Sequence, residues 1–219
     1  MGGMIPLSDA SREPASFPAM TTAIIAANAV VFVMELIGGD AFVTHWALIP
    51  ATITAGHRWV TILTAMFMHA GWMHIIGNMV FLWAFGPEIE DSMGPLKYLV
   101  FYLLSGLAAS LTQLALMPHS TVPNLGASGA IAGVMGAFIV TYPRDKIRTV
   151  LLIGWFVDVR AIPAALLIGL WFVIQLFSQV GAVASAQGGG GVAYSAHVGG
   201  FIFGAVTARL FESSRSSSE

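Results

Sequence analysis

Ser128 and His197 are the two residues of this sequence best suited to nucleophilic catalysis. An imidazole can take the proton of a serine hydroxyl as it attacks, then return it to a leaving amine. Few other groups compete for a chemical role. Glu35, His69, His74, Asn78, Gln113 and Gln175 complete the set of notable polar residues that fall inside or beside long apolar runs. Cysteine is absent, which removes thiolate nucleophiles, thiolate metal sites and disulfides together. His74 and Asn78 are four residues apart, so they share a helix face, and both side chains can donate hydrogen bonds to one oxyanion. In the stretch 124–130, Asn-Leu-Gly-Ala-Ser-Gly-Ala, Gly126 permits a tight turn and Ser128 then stands in the first turn of a helix. Backbone N–H groups there lack intrahelical partners, and the helix dipole favours negative charge, which suits an acyl-transfer oxyanion. His69 lies five residues before His74 and nearer the interface, and reads as a loop anchor. No acid has a clear place as a third catalytic member, since nothing in the sequence ties Glu35 or Asp40 to His197.

The elements that must position these groups follow from composition. The chain has 219 residues, 57% hydrophobic and only 9% charged, with 24 glycines and a mean hydropathy of +0.81. Soluble domains average about 25% charged residues, so a soluble enzyme, a nucleic-acid binder and a disordered chain are excluded. The net charge of −2 says nothing further about partners. Six long uncharged or nearly uncharged runs occur, at 19–39, 71–87, 96–117, 128–142, 162–183 and 194–210. They are continuous rather than alternating, which argues for helices near the 20-residue length of a span and against a transmembrane barrel. The expected fold is an all-α membrane protein, a six-helix bundle with a long loop between helices one and two that lies partly in the membrane. Trp46, Trp59 and Trp72 mark that loop as interfacial. Residues 1–18 are expected as a short, polar, mobile cytoplasmic segment, 19–211 as the helical domain and 212–219 as a Ser-rich cytoplasmic tail.

With six spans, Arg12, Lys97, Arg144, Lys146, Arg148, Arg160, Arg209 and Arg215 share one side, and only Arg58 lies on the other. Basic residues concentrate on the cytoplasmic side, so both termini are expected there. His74 precedes Glu88 by 14 residues, Ser128 precedes Pro143 by 15, and His197 precedes Glu212 by 15. At 1.5 Å per residue these separations are roughly 21–22 Å, which puts the three polar groups at one depth. Gly129 and Gly133 form one G-x-x-x-G, and Gly200 and Gly204 another. Small residues at this spacing let helices approach closely, and two such faces in contact would bring the serine and the imidazole together.

At these residues the sequence resembles the rhomboid family of intramembrane serine proteases. The matching elements are His69-x-x-x-x-His74-x-x-x-Asn78, Gly126-Ala127-Ser128-Gly129 and Ala196-His197-x-x-Gly200-x-x-x-Gly204, in family order. The resemblance extends from about Arg58 to Gly204. It implies a Ser128 nucleophile, a His197 base, and an oxyanion site made by the Ser128 backbone N–H with His74 and Asn78. It also implies substrates that are single transmembrane helices, cut near their outer ends, after small residues and near helix-destabilising ones. Gly188 to Gly191 fall in the loop after the fifth run, where a mobile lid is one reading and a passive flexible loop another. Two positions depart from the family pattern. Its Trp-Arg pair appears as His57-Arg58, and an aromatic residue that some members place one turn after the nucleophile is Ala132. Glu90 matches a position that looks structural.

Three alternatives remain. A channel or transporter would suit the composition, but no paired halves or broken-helix repeats are visible. A metalloenzyme built on His69, His74 and His197 lacks a completing carboxylate or cysteine, and H-E-x-x-H is absent. A rhomboid-like scaffold would bind membrane helices without cutting them. The expectation is therefore a protease that needs no cofactor, metal or nucleic acid, whose partners are transmembrane-helix substrates and the lipid bilayer, in a bacterial inner membrane.

Overall fold

In a computed structural model, the chain is described over residues 2–154, 156–173 and 194–213. The helices are α1 (Ala19–Trp46), the short α2 (Pro50–Thr54) and α3 (Thr61–Thr64), α4 (Trp72–Met93), α5 (Pro95–Leu116), α6 (Ser128–Thr141), α7 (Ala164–Val173) and α8 (Tyr194–Phe211). A 3₁₀ turn, Ala65–Phe67, follows α3. Among the described residues, α1 and α5 are long and apolar enough to cross a membrane. A third span results if Thr61–Phe67 and Trp72–Met93, bent by 88°, count as one. The other three runs expected to span give α6 with 14 residues, α7, described only to Val173, and α8 with Arg209 in its last turn. The rest of the fifth run, with Gln175 and the 188–191 glycines, lies outside the described residues, as does 214–219 of the tail.

The all-α expectation needs correction. Strands β1 (Gly2–Asp9), β2 (Lys146–Ile153) and β3 (Phe156–Pro163) form one antiparallel sheet with β2 in the centre. The expectation of a mobile N-terminal segment fails for residues 2–9, which pair with β2 from Gly2↔Ile153 to Asp9↔Ile147. The register shifts between Pro6 and Ser8, and an edge strand can tolerate both the bulge and a proline without N–H. Beyond the strand, the Arg12 guanidinium lies 3.9 Å above the Tyr142 ring and donates to both carboxylate oxygens of Asp145.

The first connection is also more ordered than a loop. α1 continues past Gly39, whose φ of 58° and ψ of −154° redirect the helix. That backbone region strains an L side chain and not glycine. Arg58 donates through Nη1 to the Thr44 carbonyl at 2.9 Å, so the basic residue of the departed Trp-Arg pair ties the connection to the end of α1. At the opposite end, the Glu90 carboxylate of α4 accepts the N–H groups of Met20 and Thr21 and the Thr21 hydroxyl, at 2.7–2.8 Å. A carboxylate on first-turn amides satisfies donors that the helix itself cannot, giving Glu90 its structural role.

α6 runs through the middle of the bundle, and every residue from Gly129 to Phe138 is buried. This explains why its sequence is apolar all round rather than on one stripe. Phe85 of α4 meets Phe138 edge to face at 5.1 Å, and Tyr98, Phe101 and Tyr102 of α5 fill the same core. On its other side α6 meets α8 backbone to backbone. A Cβ at Gly200 would overlap the Gly129 carbonyl, and one at Gly204 the Gly133 carbonyl. Gly136, outside both G-x-x-x-G pairs, makes a third such contact with the Phe201 carbonyl.

Candidate active site

Ser128 is the first residue of α6, and the turn before it is held from two directions. Leu48 and Asn124 exchange backbone hydrogen bonds at 3.0 and 2.7 Å, and the Gly126 N–H donates to the Ala65 carbonyl at 2.9 Å. Gly126 has φ 141°. A Cβ there would stand 3.0 Å from Nε2 of His74 and 3.4 Å from Oγ of Ser128. Glycine at this position thus both permits the turn and leaves the space between the two side chains open.

Across the close α6–α8 contact, Nε2 of His197 lies 2.6 Å from Oγ of Ser128. His197 is buried, at 5% exposure, and Ser128 is half-buried. The imidazole is flanked by two rings that sequence reasoning did not single out. Trp171 of α7 lies at 5.6 Å between centroids and Tyr194, at the start of α8, at 6.3 Å. Ala132, one turn after Ser128, is fully buried in the helix packing, so the rings beside the base come from α7 and α8 instead. Their signal is weak, because aromatic residues in apolar runs ordinarily read as core or lipid-facing groups.

His74 reaches the same space from α4. Its Nδ1 accepts the Ala70 N–H at 3.2 Å. A backbone amide only donates, so Nδ1 must carry the lone pair, and the neutral ring bears its proton on Nε2, the nitrogen that a Cβ at Gly126 would approach to 3.0 Å. His74, Ser128 and His197 line one cavity of about 490 Å³, with Gly126, Gln113 and Ala109 among its other walls. Gln113 accepts a hydrogen bond from the Ser195 hydroxyl and so links α5 to α8 beside this cavity. Asn78 does not line the cavity; it is buried one turn along α4, and its amide nitrogen has no partner among the described residues.

His69 is buried at 2% exposure, with its ring edge-on to His74 at 5.1 Å. Its backbone N–H is shared by the two carboxylate oxygens of Glu35, each at 3.0 Å. Glu35 of α1 is therefore engaged with the connection before α4. Among the described residues, no three His, Asp or Glu side chains gather where a metal ion could sit.

The motifs on α4, α6 and α8 lie within a stretch that matches the family description "Rhomboid domain" over residues 56–214. The chain belongs to the rhomboid family. It is similar to Rhomboid-like protein 11, chloroplastic, of Arabidopsis thaliana, with 34% identity over 49% of this chain and 39% of the relative. It is 28% identical to the rhomboid protease GluP of Bacillus subtilis over 72% of this chain and 31% of the relative. It is also 33% identical to Inactive rhomboid protein 1 of Drosophila melanogaster over 36% of this chain and 5% of that protein. The chain thus spans well under two thirds of the length of these rhomboid relatives, whose names include both a protease and an inactive protein.

Proposed function

We propose that this rhomboid is an intramembrane serine endopeptidase that cleaves transmembrane helices of membrane-protein substrates near the outer face of the bilayer. The observation that carries the reading is the 2.6 Å separation of His197 Nε2 and Ser128 Oγ at the N-terminus of α6. In this reading Nε2 accepts the hydroxyl proton as Oγ bonds to the substrate carbonyl carbon. The resulting oxyanion is met by the Ser128 N–H and by Nε2–H of His74, with Asn78 supporting from the next turn of α4. His197 then delivers its proton to the departing amine as the C–N bond breaks, and a water admitted by the cavity repeats the sequence to free the acyl group.

The catalytic unit is a dyad, and no cofactor takes part. The frame is six spans over 19–211 with both termini in the cytoplasm of a bacterial inner membrane, the topology that places eight of nine basic residues on one side. Gly129, Gly133, Gly200 and Gly204 hold the dyad by helix contact, and His69 anchors the connection before α4.

A second reading, a scaffold that binds membrane helices without cutting them, draws on the relative whose name marks it inactive. Purified protein in liposomes, given a model transmembrane substrate, separates the two. Cleavage by wild type that is abolished in Ser128→Ala supports the protease. Binding without cleavage supports the scaffold, and cleavage by Ser128→Ala equal to wild type overturns the nucleophile. A fluorophosphonate probe should label Ser128 and label His197→Ala far more slowly; equal rates would remove His197 from the dyad.

A further inference from the structure

The sheet that joins α6 to α7 carries an apolar face with no protein layer over it among the described residues. Side chains alternate across a strand, and the register assigns them. Val150 stands between Ile5 and Val159, and Leu152 between Gly3 and Val157. The opposite face includes Ile147 and Thr149, which are both fully buried against the helices. On the first face, Val157 is 69% exposed, Val159 53% and Ile5 39%. A sheet of this size ordinarily solvates one face with polar residues, and here the middle of that face is apolar, with Arg148 at its base.

Two observations identify what covers it. First, β2 follows α6 after only four residues, 142–145, and β3 runs directly into α7, so the base of the sheet is held at the end of two apolar helices, which the proposed orientation places in the bilayer. Second, Lys146 and Arg148 are exposed on this face with Arg144 just before it, while the single carboxylate on β2 and β3, Asp158, stands on the opposite face and pairs there with Arg160 at 2.6 Å. An apolar surface rimmed by cations in excess matches the acyl boundary and anionic headgroups of a cytoplasmic leaflet, where each basic residue adds attraction. We propose that the β1–β2–β3 sheet lies with its Ile5–Val150–Val159 face in the cytoplasmic leaflet and acts as a lipid-contacting anchor between α6 and α7.

This inference rests on the proposed membrane orientation and is independent of the chemistry at Ser128. The chain has no cysteine, so Val157→Cys, Val159→Cys and Glu13→Cys each carry one thiol for a bimane label in the full-length protein. In vesicles of phosphatidylcholine and phosphatidylglycerol, labels at 157 and 159 should be quenched by lipids bearing an acyl-chain nitroxide and should lose iodide quenching. The exposed control at 13 should show the reverse, and Arg148→Gln should weaken the lipid quenching at 157. Iodide quenching at 157 and 159 equal to that at 13 overturns the proposal. So does protection from both quenchers with disulfides between copies at 157, which would assign the face to a second copy of the chain. An impermeant thiol reagent that reaches positions 13 and 157 from opposite sides refutes the orientation and leaves the protease reading to be judged by the Ser128→Ala result.

Discussion

The backbone N–H of Ala70 donates to Nδ1 of His74 at 3.2 Å, which leaves Nε2, the nitrogen beside Gly126, to carry the ring proton and donate into the cavity shared with Ser128. If this donor meets the oxyanion, its loss should be felt in the transition state and little in substrate binding. Removing one oxyanion donor costs roughly 10²–10³-fold in kcat. His74→Ala is therefore expected to lower kcat by about that factor with KM nearly unchanged. Asn78 is set back from the cavity, so Asn78→Ala should cost less than His74→Ala. Steady-state cleavage of a model substrate in liposomes measures both, and an unchanged kcat in His74→Ala would remove it from the site.

Contact between α6 and α8 leaves no room for a side chain at Gly204, where a Cβ would overlap the Gly133 carbonyl. Relief requires backbone movement, because the obstructing atom is not the end of a flexible side chain. Overpacking of this kind costs about 1–3 kcal/mol. Gly204→Val should lower the thermal midpoint in detergent and also the rate of Ser128 labelling, since the same contact sets the 2.6 Å separation. Gly77 in α4 is exposed, and a Cβ placed there would meet no atom within 4 Å. Gly77→Ala should be neutral or stabilising by up to about 1 kcal/mol. Equal effects of the two substitutions would show that glycine matters here only through helix propensity.

The ring of Trp171 beside His197 links α7 to the base. Trp171 does not line the cavity shared by Ser128 and His74, so it acts as a positioning residue. A base displaced by about 1 Å can lose on the order of 100-fold in rate. Trp171→Ala should slow fluorophosphonate labelling of Ser128 by up to roughly that factor, while Trp171→Phe restores most of it. A purely packing role would instead lower the melting midpoint in both variants and leave the labelling rate of the folded fraction unchanged.

The part of the site that is legible in the sequence consists of groups that are costly in hydrocarbon. Ser128, His74 and His197 stand out because a polar side chain in an apolar run needs a reason, and the glycine spacing on α6 and α8 offers a physical route for two of them to meet. Trp171 and Tyr194 carry no comparable signal, since an aromatic ring is at home in a span whatever it touches. Ala70 contributes only a backbone amide, which no side-chain pattern reveals. The sheet escapes a sequence reading because β1 is an eight-residue strand interrupted by Pro6, and its partner β2 begins only at Lys146. Only β1 pairs across most of the chain; β2 and β3 are neighbours in sequence and lie between the fourth and fifth apolar runs, a stretch whose basic residues read as a loop. α1 runs past Gly39 because the glycine kinks the helix instead of ending it.

The docked N-terminus makes a prediction about pH. Asp9 ends β1 with its carboxylate buried beside Arg12 and Asp145, and Glu88 of α4 also faces this cluster. Burial raises the Asp9 pKa above the ordinary 3.8, and the neighbouring Asp145 carboxylate adds to the rise, against hydrogen bonds from the Ser11 and Arg12 amides. An acid whose pKa is raised on folding holds its proton more tightly in the folded chain. Its ionisation therefore costs stability, fully above the raised value and not at all below 3.8. Asp9→Asn removes that cost while keeping an oxygen to accept from Ser11. The variant should melt higher than wild type at about pH 7, and the gap should close as the pH falls through the raised value toward 3.8. Thermal unfolding in detergent across this range, read by tryptophan fluorescence, measures the gap. A variant less stable than wild type at neutral pH would mean that attraction to Arg12, whose own pKa is raised chiefly by its hydrogen bond to Asp145, outweighs the burial of the Asp9 carboxylate.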